Sequence, residues 1–399
     1  MRCIPLTVIR GDERVKEPHV EFFERPRDPL PGNLLFEALD PPEEIILAAN
    51  PRLTRELIEG ILKAAKETEN IVILELSLTE MNLNGGYTGL TPKLFAERVR
   101  EAAENVGWFG YVLHADHVAL RRGTDDEIEN VKRELLARVE AGFTSFAIDA
   151  SHLVERKGKS VEEKLRKNVE KTAELFRFLD ENLGHRSYGR EGEVGVIGGE
   201  LTDIPEALHF VESLKMNGVD LHWLAISNGS KHGVSVDAEG NVIPQLTIDL
   251  KRTVEIVDAL WARGHRSRIA QHGMSGIPLY LIAEKFPKGK INKGNVATYW
   301  MLMIWNILRI YEPELYRRIY RWVVSRYGEE GVPEMETFTK YSKYAIKEFS
   351  HSLDKISEET RNAIREKAYA EALIHIKAFG MNKTAKKVYR YIRDKNIRY

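Results

Sequence analysis

One short segment of the sequence, from Tyr111 to His117, combines an apolar run with three ionisable side chains in its last four positions. Successive side chains of a strand point to opposite faces, so His114 and Asp116 share one face and His117 lies just past the end. Two imidazoles flanking a carboxylate at the carboxyl end of a strand indicate a metal ligand beside a proton carrier. A histidine near a strand end is by itself more often a hydrogen-bonded core residue. The metal interpretation therefore depends on partners elsewhere in the chain.

The composition indicates which partners the chain is suited to. Its 399 residues carry 59 lysines and arginines against 60 aspartates and glutamates, a balance that argues against nucleic acid or an anionic membrane as the main partner. No apolar run approaches the roughly 20 residues of a transmembrane helix, and the N-terminus lacks a signal-peptide core. The single cysteine, Cys3, argues against disulfides and suits a reducing compartment. We therefore expect a cytoplasmic protein that binds neither nucleic acid nor membrane.

Short apolar runs alternate with amphipathic helical segments through most of the chain. Eight runs predict strands: Ile45–Ala49, Ile71–Leu76, Tyr111–Asp116, Phe143–Asp149, a run ending at Glu191–Val194, Leu221–Ile226, Arg268–Gln271 and a run within Gly289–Val296. Eight strands alternating with helices over about 250 residues are typical of a (β/α)8 TIM barrel, an α/β fold. A doubly wound open sheet is the structural alternative, but no glycine-rich dinucleotide motif or Walker motif follows a predicted strand.

The barrel is expected to occupy residues 43–300, between two extensions. Residues 1–42 carry scattered prolines and charges with little periodicity, and we predict an extension that packs on the barrel. Residues 301–399 have a helical pattern almost throughout and begin with an aromatic-rich stretch. This is more helix than a barrel needs to close. We therefore expect part of it to bury a partner subunit in a homo-oligomer, a dimer or a tetramer.

Polar residues follow every predicted strand, at the end where such barrels place their active sites. In chain order they are Asn50; Ser77; His114, Asp116 and His117; Asp149, Ser151 and His152; Glu191 and Glu193; Lys231, His232 and Gly233; His272 to Gly276; Asn292 and Asn295. Capping or loop polarity is the better explanation for any one of these residues, but it does not explain all eight strand ends. Three histidines of this set, His117, His232 and His272, with a carboxylate at Glu193, match a site of three or four ligands for a divalent ion. Zinc is the leading candidate, and another divalent metal is the alternative.

Two glycine-containing turns are suited to binding phosphate. Residues 230–233 (Ser-Lys-His-Gly) follow the sixth predicted strand, and residues 273–276 (Gly-Met-Ser-Gly) follow the seventh. Glycine lets backbone N–H groups converge on an anion, and barrels commonly hold phosphate at their last loops. Two ordinary tight turns are the alternative interpretation, which the neighbouring histidines make less attractive.

Several short motifs occur in a characteristic order. They are Leu113–His117 (LHADH), Ala141–Leu153 (AGFTSFAIDASHL), Glu191–Gly195 (EGEVG) with Gly198–Glu200 (GGE), Lys231–Gly233 (KHG), Gln271–Pro278 (QHGMSGIP) and Asn295–Thr298 (NVAT). Spread over roughly Ile45 to Thr298, they resemble the class II, metal-dependent ketose-bisphosphate aldolases, which are the fructose- and tagatose-bisphosphate enzymes. The loop Asn84–Pro92 (NGGYTGLTP) looks most like a companion-subunit branch of the tagatose-bisphosphate enzymes.

The resemblance implies a metal site and a proton carrier. It implies that the ligands of a catalytic zinc are His117, His232 and His272, with Glu193 as an additional or alternative ligand. Asp116 would be the acid or base acting on the substrate hydroxyl. Asp149 would lie near the metal, and His114 is interpreted as a supporting or structural residue.

The resemblance also implies a substrate pocket for a phosphorylated sugar. Gly233, Gly273 and Ser275 would hold the ketose-side phosphate, and Asn295 would contact the substrate near the metal. The other half of the pocket would be lined by Asn50 and Ser77. A monovalent cation that assists phosphate binding is left open as a second cofactor.

The chemistry of such a reaction fits these residue types independently. Cleaving a β-hydroxy ketone needs an electrophile for the ketone and a base for the β-hydroxyl proton. Lys231 and Lys293 are predicted to lie in loops, so neither is expected to form a Schiff base. A zinc ion held by neutral imidazoles polarises a ketone as a Lewis acid. Asp116, next to a predicted ligand, is placed to move the proton.

Two features depart from the family pattern or leave it ambiguous. Many fructose-bisphosphate members carry a second acid directly after Gly-Gly-Glu, on a mobile loop, where this chain has Leu201. Glu200, Asp203 or another group must then protonate the carbon, and Glu200 is preferred. The register of the last strand is open between Asn292 and Asn295, and Asn295 is favoured.

The sequence therefore predicts a class II aldolase of glycolysis or gluconeogenesis. It would reversibly cleave a ketose 1,6-bisphosphate, with fructose favoured over tagatose, into dihydroxyacetone phosphate and glyceraldehyde 3-phosphate. A non-catalytic companion subunit is one alternative, against which the retained ligand histidines and Asp116 argue. A metal-dependent hydrolase on the same barrel is another, which the glycine-rich anion loops disfavour.

Overall fold

Eight parallel strands form a closed barrel in the computed structural model, which describes residues 16–184, 186–231, 233–237 and 240–399. The barrel strands are β1 Ile46–Ala49, β2 Val72–Ser77, β3 Tyr111–Ala119, β4 Ser145–Asp149, β5 Gly189–Glu193, β6 Trp223–Ala225, β9 Arg268–Gln271 and β10 Ile291–Val296. Two further strands, β7 Ser235–Val236 and β8 Val242–Ile243, pair antiparallel as a hairpin outside the barrel. The barrel closes through parallel pairing of β1 with β10. The TIM-barrel prediction is confirmed.

Helices surround the barrel and continue beyond it. Within the described residues they are α1 Pro18–Glu24, α2 Gly32–Ala38, α3 Arg55–Glu67, α4 Pro92–Val106, α5 Asp125–Glu140, α6 Val161–Leu183, α7 Ile204–Met216, α8 Leu250–Ala262, α9 Leu279–Lys285, α10 Thr298–Tyr311, α11 Pro313–Tyr327, α12 Glu334–Tyr341, α13 Ala345–Glu348, α14 Ser350–Leu353, α15 Glu358–Ala378 and α16 Thr384–Asp394. Short 3-10 turns span Ser151–Leu153, Met274–Gly276 and Ser342–Tyr344. No helix of the described part of the chain is long and apolar enough to cross a membrane.

The strands form where the sequence carries near-continuous apolar runs, as expected for a parallel sheet covered by helices. Every residue of β1, β4 and β10 is buried. Side-chain caps begin many of the helices, and α7 has a complete capping box in which Asp203 and Glu206 each bond the other's backbone N–H. Local signals therefore determine where the elements start, and burial in the barrel stabilises them.

One strand is longer than its apolar run predicts. β3 continues three residues past Asp116, to Ala119, and its pairing with β4 shifts register between Ala115 and Val118. A bulge of this kind adds a residue to one strand and re-aims the side chains next to it. His117 lies within the bulge with a φ of 40°, in the left-handed region that non-glycine residues rarely adopt.

Both extensions pack directly on the barrel. On the N-terminal side, the backbone of Leu30 donates to Tyr111 O at 2.8 Å, at the first residue of β3. On the C-terminal side, α15 lies along α3, where a Cβ on Gly60 would stand 2.5 Å from Arg365 O. The N-terminal extension thus covers the amino end of the barrel. The carboxyl ends of the strands lie at the opposite end.

Candidate active site

The bulge in β3 sets Asp116 and His117 at the carboxyl end of the barrel. His117 holds its positive φ because the strand must turn both side chains inward there, and strained backbone of this kind costs of order 1–3 kcal/mol. Opposite it, the chain leaves β9 directly into His272, whose side chain is buried. The two imidazoles meet across the barrel mouth, with 3.1 Å between His117 Nε2 and His272 Nδ1.

This separation suits two ligands of one metal ion. Nitrogens bound at about 2.0–2.1 Å to a tetrahedral ion lie roughly 3.3 Å apart. Ligand atoms of Asp116, His117 and His272 all lie within 4.8 Å of one another. The donor set of imidazole and carboxylate is one that zinc and similar divalent ions bind. The two imidazoles therefore fit a divalent ion, and the Asp116 carboxylate lies close enough to act beside it.

Carboxylates support the outer nitrogens of both rings. Glu193 Oε1 is 2.6 Å and Asp149 Oδ2 is 3.5 Å from His117 Nδ1, while Glu191 Oε1 is 3.7 Å from His272 Nε2. Carboxylates behind metal-binding histidines orient the rings and raise their basicity. In this structure Glu193 contacts Nδ1 of His117, whereas Nε2 of the same ring faces His272.

The electrostatics of the site favour a cation. Burial would lower the pKa of His117, but the charges of Glu193 and Asp116 raise it well above its usual value. Burial and the neighbouring Asp149 charge raise the pKa of Glu193 to about 8. A glutamate that resists ionising, beside a histidine that resists losing its proton, indicates excess negative charge around His117. A bound divalent ion would offset that charge.

Asp116 is an ionised carboxylate at the edge of this site. Burial would raise its pKa, but the positive charges of His117 and Lys293 hold the pKa of Asp116 well below its usual range. Its Oδ1 accepts from Asn295 Nδ2 at 3.3 Å. Ser77 lies opposite it in the register of β2 and β3. The charged form of this buried carboxylate is therefore stabilised by neighbouring cations and an amide donor.

The two candidate asparagines of the last strand have different surroundings. Asn295 donates from Nδ2 to Glu75 Oε1 at 2.7 Å as well as to Asp116. Asn292 instead donates to Glu44 O at 3.2 Å, next to the beginning of β1. Asn295 is therefore the asparagine that lies in the site.

Lys293 is not in a loop, and that prediction is wrong. It lies in β10, its side chain is fully buried, and its Nζ donates to Glu191 Oε2 at 2.7 Å. Nζ is also 2.9 Å from His114 Nε2 and 3.1 Å from Glu75 Oε2. A charged residue between Asn292 and Gly294 suggested a loop, but barrel closure surrounds it with buried partners. His114 serves here as a supporting residue, with its other ring nitrogen 2.7 Å from Ser145 Oγ.

Asn50 and Ser77 belong to a second buried network at the rim. Glu80 Oε2 accepts from Asn50 Nδ2 at 2.6 Å and from the Ser77 backbone at 2.7 Å. Arg52 bonds Asn50 Oδ1 at 3.1 Å and the Tyr87 hydroxyl at 2.9 Å, and pairs with Glu80 at 3.3 Å. Through Tyr87, the loop Asn84–Pro92, called here the glycine-rich loop, thus anchors the ends of β1 and β2.

The turns predicted to bind phosphate lie beside His272. Gly273 has a φ of 75°, and a Cβ there would stand 2.6 Å from Lys231 O, so the two turns approach closely only because this residue is glycine. Gly233 has a φ of 87°. Ser275 Oγ accepts from the Ala297 backbone at 3.0 Å, which joins the second turn to the end of β10. Among the residues that the structure describes, the buried Ser230 Oγ has no hydrogen-bond partner.

Two candidate acids from the sequence, Glu200 and Asp203, lie apart from the imidazoles and from Asp116. Glu200 is exposed and its nearest cation is Arg156, 3.7 Å away. Asp203, the other candidate acid, caps α7. His232 lies outside the described residues.

Sequence reasoning missed the groups that support the site from within the barrel. Glu75 and Lys293 lie inside apolar strands, and Glu191 was noted at a strand end and in a motif without a supporting role. Arg52 and Glu80 follow strand ends without forming a motif. One signal was present: a charge inside an otherwise apolar strand is rare unless it is paired. Pairing partners on other strands cannot be read from the sequence.

Metal analysis of two variants distinguishes a ligand imidazole, His272, from a supporting carboxylate, Glu193. We expect His272→Ala to remove most of the bound divalent metal, because it deletes a ligand. Glu193→Gln should keep full stoichiometry at saturating metal while weakening affinity about 10–100-fold, the usual effect of losing a supporting carboxylate. Metal content and competition with a chelator measure both.

His209→Ala, on the outer helix α7, is the control and should change neither quantity. Full metal content in His272→Ala would contradict the site. Lost stoichiometry in Glu193→Gln would identify Glu193 as a ligand itself.

Known proteins are similar to this chain in fold and, over a shorter stretch, in sequence. The D-tagatose-1,6-bisphosphate aldolase subunit GatZ of Escherichia coli O1:K1 is 32% identical over 101 residues, 24% of this chain and 24% of that protein. The chain thus spans about a quarter of the length of the curated relatives it matches.

Solved structures are similar over most of the chain. Fructose-bisphosphate aldolase (Fba) from Campylobacter jejuni has a TM-score of 0.55 at 20% identity, covering 88% of this chain and 93% of that one. Fructuronate-tagaturonate epimerase UxaE from Cohnella laeviribosi has a TM-score of 0.59 at 14% identity, covering 85% and 82%. At these identities the likeness concerns the fold alone. Residues 44–371 match the family described as fructose-bisphosphate aldolase class-II, and the chain belongs to that family.

Proposed function

We propose that this chain is a metal-dependent aldolase that reversibly cleaves a ketose 1,6-bisphosphate into two triose phosphates. Fructose 1,6-bisphosphate is the first candidate substrate, and zinc is the first candidate metal. The observation that carries the proposal is the buried carboxylate of Asp116 beside two facing imidazoles, with all three ligand atoms within 4.8 Å. That arrangement sets a base next to a site for an electrophile.

The reaction needs a proton acceptor at the β-hydroxyl of the ketose. Asp116 takes that proton as the carbon–carbon bond breaks, and the electron pair moves toward the ketone. A bound divalent ion supplies Lewis-acid polarisation of that ketone. Asn295, fixed between Glu75 and Asp116, orients the substrate from the barrel side. In the reverse direction Asp116 returns the proton to the new hydroxyl.

A second proton transfer, at carbon, is assigned to Glu200. Its carboxylate is exposed and lies toward Arg156 in this structure. The role therefore requires the loop of residues 195–201 to close over the substrate. Such closure also excludes water from a reactive carbanion.

A bisphosphate needs anion sites on both sides of the metal. Gly233, Gly273 and Ser275 supply the ketose-side site. On the other side, Lys343 makes no ion pair within the described residues, and burial with the nearby Arg52 charge lowers its pKa. Two close cations, of which only Arg52 has a carboxylate partner, favour an anionic ligand there.

A second candidate function is a subunit of a tagatose-bisphosphate aldolase. The similarity to GatZ over 101 residues favours it. A purely structural subunit would need neither the paired imidazoles nor the ionised Asp116, so we rank catalysis first.

Triose-phosphate release tests the proposal directly. Purified full-length protein should release triose phosphate from fructose or tagatose 1,6-bisphosphate, lose that activity after exhaustive chelation, and recover it with zinc. Activity that survives chelation would exclude the metal mechanism. An inactive chain that becomes active, or activates a partner, only after mixing with a second aldolase subunit would support the subunit function instead.

Asp116→Ala tests the proton acceptor. Turnover should fall at least about 100-fold, as for other lost general bases. Bound metal should stay near the wild-type level, because the imidazoles remain. Metal loss in this variant would show that Asp116 is a ligand and that its role is misassigned.

Lys343→Ala tests the second phosphate site. Losing a charge-assisted contact worth about 1.5–3 kcal/mol should raise the KM for a ketose bisphosphate by about 10–100-fold. The KM for dihydroxyacetone phosphate in the condensation direction should change little. Lys340→Ala, in the same segment but over the outer face of Tyr341, is the matched control. Equal effects on both substrates would place Lys343 outside the distal phosphate site.

A further inference from the structure

The proposed reaction gives no role to the buried lysine at the centre of the barrel. The Lys293 side chain has no exposed surface, and its ammonium lies among residues of three other strands. Glu75 comes from β2, His114 from β3 and Glu191 from β5. The three contacts are 3.1, 2.9 and 2.7 Å long.

Two of these partners, Glu75 and Glu191, lie next to a residue of the candidate active site. Glu75 accepts from Asn295 at 2.7 Å, and Asn295 also donates to Asp116. Glu191 stands 3.7 Å from His272 Nε2. Lys293 Nζ is itself 3.6 Å from Asp116 Oδ1. The Lys293 ammonium thus lies directly beside Asp116, and it is linked to Asn295 through Glu75 and to His272 through Glu191.

We propose that Lys293 is a positioning residue, which holds the Asp116 carboxylate and the Asn295 amide in their reactive arrangement. The proposal rests on the aldolase function. Its physical basis is that three buried carboxylates, those of Glu75, Glu191 and Asp116, repel one another. Without the ammonium they would separate, take up protons or admit water.

The same geometry separates this role from covalent catalysis. An imine-forming lysine must present a neutral amine to the substrate, but Lys293 directs its donors to Glu191, His114 and Glu75. Burial would lower its pKa, whereas the charges of Glu191 and Glu75 raise it well above the usual value. The ammonium therefore stays charged and acts through its neighbours.

A double-mutant cycle on the full-length protein tests the proposal. Lys293→Met keeps the length of the side chain and removes the charge. Its turnover should fall at least about tenfold with KM within about twofold, since the lost interaction acts on the reacting arrangement. Lys293→Met/Asp116→Ala should be no slower than Asp116→Ala within about twofold, because Lys293 acts through Asp116.

A matched control is Lys387→Met. Lys387 pairs with the buried Glu44 at 2.9 Å, next to the beginning of β1. The Lys387→Met variant should have a lower thermal stability than the wild-type protein and an unchanged turnover. The absorption spectrum of the cobalt-substituted protein gives a readout independent of activity. It should change in Lys293→Met, because Glu191 behind His272 loses its partner, and stay unchanged in Lys387→Met.

Several outcomes would overturn the proposal. Losses that multiply in the double variant would show that Lys293 acts independently of Asp116. Inactivation by borohydride only in the presence of substrate would show an imine. An unchanged cobalt spectrum with unchanged turnover would show no positioning role. If the wild-type protein is inactive the aldolase function fails, and the cobalt spectrum still tests the lysine.

If Lys293→Met does not fold, Lys293→Met/Glu191→Gln removes the charge pair together. This variant leaves one carboxylate fewer without its ammonium partner than Lys293→Met does, so we expect it to be less destabilised. Positioning requires its turnover to remain low, and wild-type turnover in it would overturn the proposal.

Discussion

The structure depends on satisfying a charged lysine in the interior of a closed barrel. Removing an ammonium from water costs several kcal/mol unless charged and hydrogen-bonding partners surround it. Lys293 obtains those partners from three other strands, so its pairing requires β2, β3, β5 and β10 to keep one relative arrangement. The interaction stabilises little by itself, because the pairing mainly offsets desolvation. It does fix which side chains can meet at the carboxyl end of the barrel.

The layer above the lysine follows from that arrangement. Asp116 and Asn295 lie between the ionic layer and the mouth, and His117 and His272 meet at the mouth itself. A bulge and a positive φ bring His117 to His272, and packing in the surrounding barrel must offset the free energy of this strained backbone. Buried carboxylates behind each ring leave the site short of positive charge. Burial, charge and strain thus converge on one place, which is typical of functional sites.

The C-terminal extension is part of this arrangement as well as of the fold. α15 packs along α3, and Ile45, next to β1, donates its backbone N–H to Phe379 O at 3.0 Å. A neighbouring segment reaches the barrel mouth, where Lys347 bonds Tyr87 O with its backbone and Asn84 O with its side chain. The extension therefore holds the glycine-rich loop that anchors Asn50 and Ser77. This gives the long helical tail a role within its own chain.

The sequence by itself determined the succession of strands and helices. Apolar runs, caps and turns are local signals, and every predicted barrel strand formed. It also indicated that Asp116, His117 and His272 lie together, because polar residues at strand ends meet wherever parallel strands close into a barrel. Only the tertiary structure decided the position of Lys293. Within its own segment a charged side chain is best exposed, and the partners that reverse this preference include residues 102 and 179 positions away. Closure of the barrel likewise set Asn295 beside Asp116 and Asn292 toward Glu44, since strand register depends on pairing with neighbours that the sequence does not specify.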